Sequence, residues 1–111
     1  MGVLAMFSGI REIKKGVVCD MSGTLQEAMG ESDAESVAAV LGFTASSFQH
    51  VGTSLGMGEL RRISITGKTA TCVATALDNY IVAVFTEPTA TLTTLEKNID
   101  SALRKVRRRL Q

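Results

Sequence analysis

The sequence predicts an α+β fold, a single antiparallel sheet of five strands with helices as its cover. Three observations carry that expectation. Two short β-rich runs, residues 17–20 and 24–29, are separated by turn residues. Three alternating apolar runs, residues 60–66, 71–77 and 80–86, follow one another across short turns, as antiparallel neighbours do. Two longer stretches, residues 32–55 and the chain beyond Pro88, repeat apolar residues at helical spacing instead.

Residues 1–15 are the variable N-terminal segment. Val3, Phe7, Ile10 and Ile13 are spaced for a short helix with one edge on the core, weakened by Gly9 and ended by Gly16. An extended path over residues 10–15, running into the next strand, fits nearly as well. Val17-Val18-Cys19-Asp20 then reads as a strand, Met21-Ser22-Gly23 as turn chemistry, and residues 24–29 as the returning strand of a hairpin.

Residues 32–55 form the longest helical pattern before the C-terminus. Val37, Leu41, Thr44, Phe48, Val51 and Leu55 recur at steps of four and three and predict one apolar stripe. Ser32 and Glu35 have the spacing of a capping box, and Gly56 and Gly58 suit a left-handed C-terminal cap. Between Val37 and Gly58 there is no charged residue apart from a His50 cation. Ser36, Ala39, Phe43, Ser46, Ser47, His50 and Ser54 occupy the second face, small or weakly polar around one aromatic. A helix surface without Lys or Glu calls for a cover, which makes this face a candidate partner surface.

In the three-strand meander, alternation puts Arg61, Ile63 and Ile65 on one face and Arg62 and Ser64 on the other. Val73, Thr75 and Leu77 oppose Cys72, Ala74 and Ala76, and Ile81, Ala83 and Phe85 oppose Tyr80, Val82 and Val84. Pro88 breaks the sheet. The last helix starts near Thr91 or Thr93, the latter with Glu96 at capping-box spacing, and carries a stripe of Leu92, Leu95, Ile99, Leu103, Val106 and Leu110.

Composition narrows the function. A chain of 111 residues fits one domain, residues 1–111, with a modest core, and 45% hydrophobic against 21% charged residues is ordinary for a soluble globular chain. A net charge of +1 exerts no general pull on nucleic acid or acidic substrates. Cys19 and Cys72 sit in apolar runs without metal-ligand spacing and read as buried free thiols of a reducing compartment in preference to a disulfide. The apolar start lacks a basic leader, is too short to span a bilayer, and has Met6 where a myristoylation signal needs Ser or Thr, so an unprocessed cytoplasmic protein without stable membrane insertion is expected.

The candidate chemistry is thin. Gly67-Lys68-Thr69 resembles the tail of a phosphate loop, but position 62 is Arg and the following segment is β-rich, so a hairpin turn is favoured. His50 has serines, not acids, at helical neighbour positions, and reads as an interface or packing residue. Asp20, Glu27, Glu31, Asp33 and Glu35 cluster around the hairpin and helix start, where the helix dipole favours carboxylates. Arg104, Lys105, Arg107, Arg108 and Arg109 give residues 104–111 a basic character. That complements a helix C-terminus, with an acidic protein or lipid surface as the alternative partner; nucleic acid is disfavoured because no aromatic is interleaved. No catalytic, cofactor-binding or metal-ligating set emerges, and the expectation is a non-enzyme.

The hairpin GVVCDMSGTL, the small-residue helix AESVAAVLGFTASSFQHVGTSLGMGEL, the meander LRRISITGKTATCVATALDNYIVAVF and the following TLEKNIDSAL together resemble the roadblock family, the dynein-light-chain-type domain found also in bacterial regulators of small Ras-like GTPases. The resemblance covers residues 16–105. It implies strand order 2-1-5-4-3, with the long helix on one face and the N- and C-terminal helices on the other. It also implies a homodimer in which the long helices pair and the third strands meet, and a Ras-like small GTPase as partner. Ala39, Phe43, Ser46, Ser47, His50, Ser54, Arg61, Ile63 and Ile65 are then the expected interface, with Phe43 as anchor. A structural homo- or heterodimerisation subunit and a small-ligand sensor module are the competing readings. Few aromatics, with no Trp and one Tyr, weigh against the sensor.

Overall fold

The structure is a computed structural model that describes residues 3–7, 10–11, 13–88 and 92–110, with Leu92 and residues 106–110 described by backbone alone. Five strands, β1 (Ile13–Asp20), β2 (Leu25–Met29), β3 (Arg62–Thr66), β4 (Thr71–Leu77) and β5 (Tyr80–Thr86), form one sheet of order β2-β1-β5-β4-β3. Every neighbouring pair is antiparallel. Two α-helices cover it, α1 (Ala34–Ser54) and α2 (Leu92–Leu110).

Period-two alternation sorts the side chains as expected. Val18, Val73, Leu77, Val82 and Val84 pack with Leu95 and Ile99 of α2 on one face. Val17, Cys19, Ala74, Ile81 and Ala83 pack with Ala34, Ala38 and Ala45 of α1 on the other. β-Branched residues suit this doubly covered surface, and Val17 and Val18 of β1 and Ile81, Val82 and Val84 of β5 fill its centre.

The β1–β2 turn is organised by Asp20. Its Oδ1 accepts the N–H groups of Ser22 and Thr24, both at 2.9 Å, while its carbonyl accepts the Gly23 N–H at 3.0 Å. Gly23 itself sits at φ +85°, in the left-handed region. The β3–β4 connection around Gly67-Lys68-Thr69 is a hairpin turn closed by Gly67 N–H to the Ala70 carbonyl at 2.9 Å.

The N-terminal helix does not form as an α-helix. Val3–Phe7 makes a single 3-10 helix, so among the described residues the sheet has two α-helices, not three. With three residues per turn, Leu4 and Phe7 stack on one side, and both are buried against the α2 face. Glu27 of β2 satisfies the free amides of that turn, accepting from Val3 at 2.7 Å and Leu4 at 3.2 Å. Gly16 is not a helix stop. It lies within β1 under Leu4, where an added Cβ would come within 2.7 Å of a Leu4 methyl.

Both ends of α1 depart in detail from expectation. Asp33 is the N-cap and makes no side-chain cap bond, so the Ser32–Glu35 box is absent. Glu31 instead accepts the Asp33 N–H at 3.2 Å and pairs with Lys15 at 3.5 Å. The C-terminal cap is a Schellman motif: Met57 N–H reaches the Gly52 carbonyl at 2.8 Å and Gly56, at φ +70°, donates to Thr53 at 3.1 Å. In α2 the helix begins at Leu92, leaving Thr93 inside it. Glu96 does not cap but accepts the Ser64 hydroxyl at 3.4 Å, and the Thr91 start lies outside the described residues.

The largest difference is which side of α1 meets the sheet. The buried residues are Ala34, Ala38, Gly42 and Ala45, whereas Phe48 is 49%, Val51 47% and Leu55 69% exposed. Close approach is the reason. A Cβ on Gly42 would lie 2.5 Å from the Gly23 Cα and amide nitrogen, and one on Gly23 would lie 3.1 Å from the Ala39 Cα. No stripe of Leu and Phe fits that gap, so the large residues are displaced to the helix's flank.

Two variants should separate this contact from ordinary helix effects. Gly42→Ala should destabilise by about 1–3 kcal/mol in urea unfolding, because backbone has to move. Gly52→Ala, whose Cβ would meet only the Gly58 carbonyl at an ordinary 3.5 Å, should be neutral or stabilise by up to about 1 kcal/mol. Glu31 gives a pH test. The hydrogen bond from the Asp33 amide is the main cause that holds its carboxyl below the ordinary value of 4.5; burial opposes it, and the charge and hydrogen bond of Lys15 add to the lowering. A lowered folded-state pKa stabilises above the unfolded value and is lost as pH falls through the folded one. Glu31→Gln should therefore melt earlier than the parent at pH 7, and the gap should close in acid.

Candidate partner interface

α1 lies over β1 and β2. On that face β3 and the neighbouring side of β4 are left without a helix, and the result is an apolar groove of about 360 Å³. Ile63 and Ile65 of β3 and Cys72, Ala74 and Ala76 of β4 form its floor. Val37, Val40, Leu41 and Thr44 of α1 form its wall, with Met21 and Leu60 also lining it. Val40 is 64% and Ile65 54% exposed. Farther along α1 the groove runs toward a second hollow bordered by Phe48, Val51, Met57 and Leu60. Exposed large apolar side chains on one flank of one helix, beside a bare sheet, are what a docking surface presents.

The open edge of the sheet adjoins the groove. Among the described residues β3 pairs with β4 alone, so its other side offers backbone donors and acceptors to an added strand. Its opposite face is tied down by polar contacts: Arg62 pairs with Asp100 of α2 and donates through Nε to Thr75 at 3.0 Å, while Ser64 donates to Glu96. The edge is thus held in place from the α2 side and bare on the α1 side.

The residues singled out from sequence fall into three places. Ile63 and Ile65 line the groove. Phe43, 77% exposed, together with Ser47, His50 and Ser54, projects from α1 away from the sheet. Ala39 and Ser46 are exposed on the flank away from the groove, Ala39 beside the β1–β2 turn. Arg61 is exposed just before β3 and borders a cavity on the α2 face, with Arg62, Asp100 and Arg104, as well as the hollow beside Phe48. Val40 and Leu41, which line the groove, and Phe48, which borders the hollow beside it, were not among the expected interface residues, because they read as core or went unnoticed. The available signal was the run of Ala and Gly at positions 34, 38, 42 and 45, which competes with the bulky stripe for the sheet.

Both cysteines are free thiols. Burial pushes Cys72 up to about 11; burial and then the neighbouring Asp20 carboxylate push Cys19 to about 11 as well. Among the described residues no cluster of His, Cys, Asp and Glu is arranged to hold a metal ion, and no helix is long and apolar enough to cross a membrane. Alkylation of Cys72, followed by peptide mass spectrometry, should keep accelerating with pH to near 11, where an ordinary thiol levels off about two units earlier.

No family model and no curated protein sequence matches the chain. Solved structures do. The Roadblock/LC7 domain from Streptomyces avermitilis aligns with a TM-score of 0.83 at 16% identity, over 96% of this chain and 92% of that one. Myxococcus xanthus MglB aligns at 0.79 and 16% identity over 85% and 80%, and the gliding protein MglB from Thermus thermophilus at 0.77 and 14% over 90% and 82%. Strand order, the antiparallel sheet and the helix on each face all agree with that likeness, and the chain has the roadblock fold.

Proposed function

We propose that this protein is a non-enzymatic, dimeric regulator or scaffold for a Ras-like small GTPase. The observation that carries the reading is the half-covered sheet face beside the open β3 edge. A second copy related by a two-fold axis brings its β3 against β3, extends the sheet, and lays its α1 over the bare floor of Ile63, Ile65 and Ala74. Groove residues on both copies then cover one another. The likeness to roadblock domains and to MglB supports this arrangement, and with it the GTPase.

Pairing through the groove leaves the outward side of α1 free. Phe43, Ser47, His50 and Ser54 of both copies form one uncharged surface with two projecting aromatics, which is where the GTPase docks in this reading. The small-ligand alternative has one point in its favour, since the groove's volume lies in the range of ligand sites. Its lining, however, offers only the Ser36 and Thr44 hydroxyls as polar side chains outside the cysteine.

The test is GTP turnover and co-purification with small GTPases of the source cell, in both nucleotide states. The wild type should bind in one state or the other and alter turnover. Phe43→Glu should keep its oligomeric state and lose binding by at least about tenfold, as a charged group placed in an apolar contact does. Absence of binding in either state would sink the GTPase reading, and a melting shift with a metabolite instead would favour the sensor.

A further inference from the structure

On the opposite face of the sheet from the groove, a cavity of about 370 Å³ opens between β3, β4 and α2. Arg62 borders it from β3, Arg61 from the residue just before that strand and Arg104 from α2, over a floor of Leu77 and Leu103, with Thr75 and Asp100 beside them. Three arginines and one aspartate border the same hollow. Asp100 and Thr75 engage Arg62, whereas among the described residues neither Arg61 nor Arg104 is in an ion pair.

Helix-dipole complementarity accounts for Arg104 near the C-terminal end of α2. It does not account for Arg61 and Arg62, which lie just before and at the start of a different element and border the same hollow. Cations gathered around one cavity repel each other, and an anion seated among them relieves that repulsion. Asp100 shows that a carboxylate can pair with an arginine here, since one of its oxygens accepts from a terminal nitrogen of Arg62. Its own charge at the rim disfavours a dianionic phosphate and tolerates a monoanion. The concave shape and leucine floor suit an inserted side chain better than a flat bilayer, and no aromatic borders the hollow for base stacking.

We propose that this cavity docks an acidic segment of a partner protein, with an Asp or Glu carboxylate held between Arg61 and Arg104 and an adjoining apolar side chain over Leu77 and Leu103. Lys105, exposed one residue farther along α2, adds long-range attraction for the same segment. The site lies across the sheet from the groove, so it operates whether or not the GTPase reading holds.

Fluorescence anisotropy on the full chain tests this, using a labelled peptide of alternating Glu and Leu, a Lys–Leu peptide of equal length, and phosphatidylserine vesicles. The Glu–Leu peptide should bind and the Lys–Leu peptide should not. Arg104→Glu and Arg61→Glu should each weaken binding by about tenfold; Arg104→Lys should weaken it by less, because Lys keeps the charge and loses only the planar fork. Lys68→Glu makes the same charge change on the exposed β3–β4 turn and should weaken binding by no more than about twofold. Sedimentation of each variant monitors dimer state separately. The proposal is overturned if the wild type ignores the Glu–Leu peptide, if Lys68→Glu weakens binding as much as Arg104→Glu, or if vesicles bind and the peptide does not.

Discussion

The contact between Gly42 of α1 and Gly23 of the β1–β2 turn decides how this molecule is put together. Two backbones meet there with no room for a Cβ on the helix side, and Gly23 also needs a left-handed φ to complete the turn that Asp20 organises. Close approach pins the helix over the β2–β1 side of the sheet, on a cushion of Ala34, Ala38 and Ala45. Everything distinctive about the α1 face follows from that position. The bulky residues that a helix usually buries are turned to its flank, and the β3 side of the sheet is left bare.

The two faces of the sheet are consequently unequal. On the α2 side, Leu95 and Ile99 are 1% exposed and Phe7 fills the remaining corner from the N-terminal turn, which gives a closed core. On the α1 side the core is built mostly of alanine, with a smaller apolar contribution per residue, and it ends in an open groove. A sheet packed against helix and N-terminal turn on one face and left partly bare on the other presents an apolar surface that a second body can cover. The polar ties from Arg62 to Asp100 and from Ser64 to Glu96 keep the β3 edge aligned while that face remains open.

The strands were legible in the sequence because period two is a strong signal and the turns between them are short. The facing of Cys72, Val73, Ala74, Ile81 and Val82 is as the alternation predicted, and the strand order is the one that the roadblock resemblance implied. The Schellman cap was legible from Gly56. The seating of α1 was not, because two stripes compete along it. Hydrophobicity favours Leu41, Phe48 and Leu55, while steric fit favours Ala38, Gly42 and Ala45, and only the position of the Gly23 turn decides between them. The N-terminal segment misled for a local reason: spacing of three and four suits an α-helix, yet Glu27 on β2 supplies a cap for one 3-10 turn. Ile63 and Ile65 share one face of the edge strand, as the alternation predicted, Ile63 half-buried and Ile65 exposed, while Arg61 borders the α2-face cavity as well.

The central claim is that the groove beside β3 is where two copies of the chain meet. Sedimentation velocity over a wide concentration range, on the parent and on Ile65→Asp, tests it most directly. A dimer for the parent and a folded monomer for Ile65→Asp is the predicted pair of results, because two carboxylates would otherwise be buried against apolar side chains near the axis. A parent that stays monomeric, or an Ile65→Asp variant that still forms the dimer, would contradict the claim.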